Sequence, residues 1–306
     1  MKVAIAYVSV VFIWATTPLA IKWSSSSISF VAACASRILI ALAVSGLLMV
    51  ALRRPLIKRK SDWWAFVAGL VGTFPNVLLI YWSAQHIPSG LGAVIFGMYP
   101  FAVGIFSFLI LKENIFNLRR VLAIGIALAG LVVINIDQFQ VGGKALLGVL
   151  GIAVGVMFFG LSSVWVKRVG ADVDPLAQTT GVLLLAAPLL LISWFVLDGE
   201  LPLHWDAHSL FGVSYSAVAG SVVGSVLFFY ILAKCKVASV GLITFVTPIM
   251  ALVIGAAVNG EQFSMTTVLG SVLVIVALGV YQDALRLIAN VWRSAAIPVQ
   301  AELDSE

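Results

Sequence analysis

The sequence predicts an all-α membrane protein, with ten transmembrane helices as two inverted five-helix repeats and both termini cytoplasmic. Three observations predict it. Apolar residues make up 62% of the 306-residue chain and charged residues 10%, against about 45–50% and about 25% in ordinary soluble domains. The apolar residues come in blocks about 20 residues long, the length that crosses roughly 30 Å of hydrocarbon as a helix. One motif also occurs twice at an offset of 148 residues: Pro100 with Glu113, and Pro248 with Glu261, each glutamate thirteen residues after its proline. Backbone groups cannot go unpaired in lipid, so each block should be helical. The period-two alternation of a membrane barrel is absent.

The blocks follow in order. Residues 3–22 form the first; no clean small-x-small cleavage site follows it, so it reads as a helix of the mature protein rather than a signal peptide. Residues 28–51 form the second and carry Arg37. Residues 63–84 form the third, opened by Trp63 and Trp64, which suit a membrane interface. Residues 89–111 carry Pro100, and 118–136 complete a first repeat over residues 1–137. The second repeat, 144–285, opens with 145–167. There, 159–167 (FGLSSVWVK) aligns with 14–22 (WATTPLAIK) at an offset of 145. Residues 175–197 follow, and the counterpart of Arg37 near Val182 is apolar. In 209–232, Phe229 and Tyr230 match Tyr81 and Trp82 of the third block. In 237–258, the lead-in 237–247 (VASVGLITFVT) matches 89–99 (SGLGAVIFGMY). Residues 266–285 form the last block. Five spans per repeat is an odd number, so the second repeat enters the membrane from the opposite side. Residues 286–306 read as a cytoplasmic tail. Its start, with Leu285, Ile288 and Trp292 on one helical face, suits the inner leaflet.

Charge sets the orientation. With a cytoplasmic N-terminus, 15 of the 18 basic residues fall on inner segments, and only Lys22 and Lys144 fall in outer loops. Cytoplasmic loops carry the excess of Lys and Arg in membrane proteins. The net charge of +5 is thus a topological signal and not a nucleic-acid one. Cys34 and Cys235 lie in separate blocks and imply neither a disulfide nor a metal site, and His204 and His208, four apart with Asp206 between, read as outer-loop residues rather than as metal ligands. No metal and no cofactor are expected. No nucleophile is paired with a base in the sequence, so an enzyme is not expected either.

The opening from Trp14 to Lys22, Arg37 in the second span, and the duplicated Pro100–Glu113 and Pro248–Glu261 motifs together resemble the drug/metabolite transporter superfamily, in its EamA-type ten-helix branch. The resemblance covers residues 3–285. It implies five plus five inverted helices around a central cavity lined mainly by spans one, three, four, six, eight and nine. It also implies a multi-pass protein of the cell inner membrane that moves a small molecule, with amino acids prominent among exported solutes and aromatic amino acids among them. Nucleotide sugars and organic phosphates are the alternative. Such anions want several deep basic residues, and this chain has only Arg37. A monomer is expected.

On the implied cavity spans, the candidate substrate-facing residues are Trp14, Thr17, Asn76, Tyr81, Trp82, Tyr99, Ser162, Trp165, Tyr230, Thr244 and Thr247, with Phe159 beside them. Aromatic walls with a few polar groups suit an amphipathic solute. Pro100 and Pro248 are candidate hinges, because proline removes a backbone hydrogen bond and kinks a helix. Arg37 is the one intramembrane charge. It reads either as a counter-charge for a substrate carboxylate or as a structural pin on helix-end carbonyls, and the resemblance implies the pin. Glu113 and Glu261 read as helix caps pairing with nearby basic residues. Every carboxylate lies at a span end, in a loop or in the tail, so proton coupling is not expected.

Overall fold

The computed structural model describes residues 2–113, 117–141, 143–170, 172–235, 240 and 243–282. Lys236, Arg286, Arg293 and the tail with its amphipathic start lie outside the described residues. Among those described, the chain is helical and has no strand. The helices are α1 (Lys2–Ser24), α2 (Phe30–Ala51), α3 (Asp62–Ser83), α4 (Ser89–Leu111), α5 (Leu118–Val141), α6 (Gly143–Val169), α7 (Pro175–Leu197), α8 (Ala207–Lys234), α9 (Ile243–Asn259) and α10 (Met265–Gln282). Seven of these, α1 to α4 and α6 to α8, are long and apolar enough to cross a membrane. The apolar parts of α9 and α10 are shorter.

Local chemistry fixes the helix ends. Ser29 Oγ caps α2 by accepting from the Ala32 N–H. Asp174 accepts from the Leu176 and Ala177 N–H groups, and Pro175 opens α7 where its missing donor costs nothing. Asp206 caps α8 through the Ser209 N–H at 2.7 Å. That bond, with further donors from Ser26 and Ser27, holds its carboxyl down to about 2 against a small effect of burial.

The two motif ends share one backbone turn. The Glu113 N–H donates to the Ser107 carbonyl at 3.3 Å, and the Glu261 N–H donates to the Gly255 carbonyl at 3.1 Å. The preceding residue is left-handed in both, with φ 56° at Lys112 and 61° at Gly260. Each turn thus ends its helix through a left-handed residue, with a bond reaching six residues back, one further than in a Schellman motif. The turns are separated by the same 148 residues as the sequence motif.

Three helices are irregular inside. α3 breaks at residues 72–75, where the Phe74–Pro75 peptide is cis. Asn76 Nδ2 donates back to the Gly72 carbonyl at 2.7 Å, so the break leaves that acceptor satisfied. α4 breaks at Gly97 and Met98, and Pro100 lies in the first turn of the helix that follows. Pro248, in contrast, lies inside a continuous helix. α8 widens to a π-helical turn over Ser216–Val223.

Two large clusters make up most of the apolar interior, beside a smaller one around Met49, Ala65 and Phe66. One cluster gathers Tyr99, Phe101, Val164, Phe228 and Ile231, with parts of α5 and α10. The other gathers Cys34, Ile38, Tyr81, Leu183, Ala186 and Val213. Lipid supplies no hydrophobic drive between helices, so close backbone contact carries the packing. α5 and α10 show it: a Cβ on Gly130 would stand 2.8 Å from the Gly270 carbonyl oxygen. α2 packs on α7, α1 on α8 and α9, and α6 on α3 and α4. The cavity described next lies between the two clusters.

Candidate functional site

A cavity of about 200 Å³ is walled by residues of α1, α2, α3, α4, α6, α7, α8 and α9. One side is aromatic. The Trp14 ring lies 5.8 Å from that of Phe159 and 5.2 Å from that of Phe228, and Phe96 and Phe159 lie 5.5 Å apart. Trp14 and Phe159 are the pair matched by the 145-residue repeat, and the fold brings them face to edge. The other side is more polar, with Thr17, Arg37, Thr73, Asn76, Ser221 and Ser225.

Six of the eleven candidates named above line this space: Trp14, Thr17, Asn76, Ser162, Thr244 and Thr247. Several of their hydroxyls are already engaged by backbone. Thr17 Oγ1 donates to the Ile13 carbonyl, Thr247 Oγ1 to the Ile243 carbonyl and Ser162 Oγ across to the Ala68 carbonyl. Hydroxyls bonded in this way turn their remaining lone pairs outward and act as acceptors.

The other five stand elsewhere. Tyr99 is fully buried behind Phe159, 5.1 Å from its ring. Tyr81 is fully buried in the second cluster. Trp82 packs on His86 at 4.8 Å, while Trp165 and Tyr230 pack against the first cluster. All five lie on helices that wall the cavity, but a sequence does not give helix rotation, because an aromatic ring fits the core and a cavity wall equally well. Of the two prolines, Pro248 lines the cavity and Pro100 is buried off it. They are linked through Gly97, where a Cβ would stand 3.0 Å from Pro248 Cγ. α4 therefore breaks where it crosses α9.

Sequence reasoning missed the glycine lining. Gly69, Gly72, Gly92, Gly97 and Gly220 all face the cavity. Gly90 and Gly224 are close helix contacts, against Leu252 and Trp14. Gly92 is also tight, with a Cβ 3.1 Å from Ile152 Cδ1, whereas at Gly220 the nearest atoms, on Arg37 and Thr17, lie at 3.4 Å and beyond.

Arg37 is 8% exposed and lines the cavity. Its Nε donates to Ser221 Oγ at 2.7 Å, within the π-helical turn of α8. Its guanidinium carbon lies 5.8 Å from the Tyr81 ring centroid. Among the described residues this hydrogen bond goes to a side chain of α8 rather than to a helix-end carbonyl.

Ser89, on the cavity wall, bonds a carboxylate that is not itself part of the lining. Glu261 accepts from Ser89 Oγ at 2.8 Å, the Ser89 N–H at 3.0 Å, the Gly90 N–H at 3.2 Å and Asn259 Nδ2 at 3.2 Å, with Lys22 Nζ at 3.5 Å. It thus caps the N-terminus of α4, where a helix favours negative charge. Burial pushes this carboxyl up, but the donors from Ser89 and Gly90 and the charge of Lys22 outweigh it, and the group sits below its ordinary value.

Known proteins are similar to this chain in sequence. YvbV of Bacillus subtilis, described as an uncharacterized transporter, is 25% identical over 77% of this chain and 78% of its own. PecM of Dickeya dadantii is 23% identical over 72% and 74%, and the uncharacterized inner membrane transporter YedA of Escherichia coli K12 is 25% identical over 71% and 71%. A crystal structure at 15% identity superposes with a TM-score of 0.66, covering 94% of this chain and 98% of the other, which shows the fold. The sequence model of the EamA-like transporter family matches twice, over residues 1–136 and 146–281, so nearly all of the helical chain is accounted for and the protein belongs to that family, within the drug/metabolite transporter superfamily.

Proposed function

We propose that the chain exports small amphipathic metabolites across the cell inner membrane, amino acids first and aromatic ones in particular. The observation that carries this is the cavity: an aromatic wall of Trp14, Phe96, Phe159 and Phe228 facing a sparse set of polar groups. At about 200 Å³, it is smaller than the roughly 300–1,000 Å³ of drug-sized pockets, which favours a single small metabolite. Exchange of nucleotide sugars or organic phosphates is the weaker reading. Arg37 is the one basic side chain on the described wall, and such anions want several.

The mechanism proposed is alternating access by a monomer with ten spans, in two inverted repeats, 1–137 and 144–285, with both termini and the tail 286–306 cytoplasmic. Inverted repeats rocking about a midplane site are a common transporter design. The break at Gly97, packed on Pro248, sits where the two repeats cross and is the proposed flexing point. Facilitated efflux fits better than proton coupling, since no carboxylate lines the cavity among the described residues.

Efflux of preloaded phenylalanine or tryptophan from proteoliposomes, with and without a pH gradient, tests this. Flux without a gradient, lost in Trp14→Ala protein that still folds, is expected. Flux that appears only with a gradient overturns the facilitative mechanism. No flux of either amino acid overturns the aromatic assignment.

A further inference from the structure

We propose that Arg37 is a carboxylate seat, and that the cavity selects its solute by an anionic head group while requiring no ammonium group. This rests on the reading of the cavity as the transport site and narrows its substrate class. Arg37 is more than nine-tenths buried on α2. Among the described residues it forms no ion pair. A buried charge without a counter-ion is costly at membrane depth, and an anion entering the cavity offsets that cost.

The geometry suits a planar carboxylate. Ser221 takes Nε and fixes the plane of the guanidinium, and Tyr81 stands beside it. Gly220 keeps the adjoining edge bare: a Cβ there would stand 3.4 Å from Arg37 Nη2 and 3.5 Å from Thr17 Oγ1. Nη2 therefore borders the edge that Gly220 leaves bare on the cavity wall, and a guanidinium presents the fork that pairs bidentately with a carboxylate.

No aspartate or glutamate lines the cavity among the described residues, so an ammonium group finds no counter-charge there. Its best contact is the face of Trp14, Phe159 or Phe228, a modest cation–π gain. An amine without a carboxylate also meets Arg37 as a like charge. The expected order is 3-phenylpropionate at least as tight as phenylalanine, and 2-phenylethylamine far weaker.

The test measures binding of these three compounds to the full-length protein in detergent, by competition and by thermal shift, in wild type and in the Arg37→Gln and Arg37→Lys variants. The same three head groups on an n-butyl chain form a parallel series. Wild type is expected to favour either acid over the amine by about tenfold to hundredfold, the range for a hydrogen-bonded charge. Arg37→Gln should lose that preference and Arg37→Lys should keep part of it. If Arg37→Gln does not fold, Ser221→Ala is expected to weaken acid binding while leaving amine binding unchanged. Equal binding of acid and amine by wild type overturns the seat while leaving the aromatic wall intact. A folded Arg37→Gln protein that still prefers acids also overturns it. Acid preference in the butyl series alone supports the seat and overturns the aromatic assignment. Binding of none of the six compounds overturns both.

Discussion

The two ends of α4 begin from the same sequence signature and finish differently. At the Glu261 end the carboxylate is almost wholly buried, with a side-chain exposure of 4%, and ties the start of α4 to α1 and α9. At the Glu113 end the side chain is exposed and forms no ion pair among the described residues. The surrounding scaffold is nonetheless shared. Trp23 Nε1 donates to Asn259 Oδ1 near the end of α9, and its repeat counterpart Arg168 donates to the Ile110 carbonyl near the end of α4. The lysines diverge: Lys22 approaches Glu261, whereas its counterpart Lys167 donates to the Leu232 and Ala233 carbonyls at the end of α8. A repeated sequence therefore repeats the turn and the helix-end contact, but not the charge pairing. Under alternating access, such a difference distinguishes a fastened end from an unfastened one.

The strongest way to break this comparison is at the glutamates. Glu261→Ala should destabilise the protein by about 2–5 kcal/mol, because it strands the Ser89 and Gly90 N–H groups and Lys22. Glu113→Ala should change stability by less than about 0.5 kcal/mol, as at an ordinary surface site. Thermal unfolding in detergent measures both, and equal losses would erase the distinction.

Acid probes the same asymmetry. The folded-state pKa of Glu261 is depressed, so its contribution is fully present above the unfolded value of about 4.3. It is lost as pH falls through the folded value. Wild type should weaken over that acid window, and Glu261→Gln should show a flatter profile.

The lysines come next. Lys167→Met should cost about 1.5–3 kcal/mol by leaving two helix-end carbonyls without their charged donor. Lys22→Met should cost less than about 1 kcal/mol, since Lys22 is a third exposed and only 3.5 Å from its partner. The smallest effect is in the two turns themselves. Lys112→Gly should stabilise by about 1 kcal/mol, and Gly260→Ala should destabilise by a similar amount, because only glycine adopts a left-handed conformation freely. A Cβ on Gly260 would meet nothing within 4 Å, so the second change isolates the backbone effect.

Much of this was legible without coordinates. Apolar blocks of membrane length predict helices, because lipid leaves backbone groups no other partner. The offset of 148 residues between Pro100–Glu113 and Pro248–Glu261 reappears as two matching left-handed turns, since a turn is a local object set by a few neighbouring residues. The cavity was legible only in part. Thr17, Asn76 and Ser162 reach it, while Tyr81, Tyr99 and Tyr230 do not, because helix rotation depends on what every neighbouring helix presents.

The sequence by itself determined the helices, their duplication, the family and the rarity of deep charge. Each follows from length, composition or local spacing, which are properties of one segment at a time. Only the tertiary structure decided which glutamate is buried, which aromatic rings face the cavity and what stands beside Arg37. Those outcomes join α2 to α8, and α4 to α1 and α9, across more than 150 residues of chain. Contacts of that kind are set by packing among helices and leave no periodicity in the sequence to read.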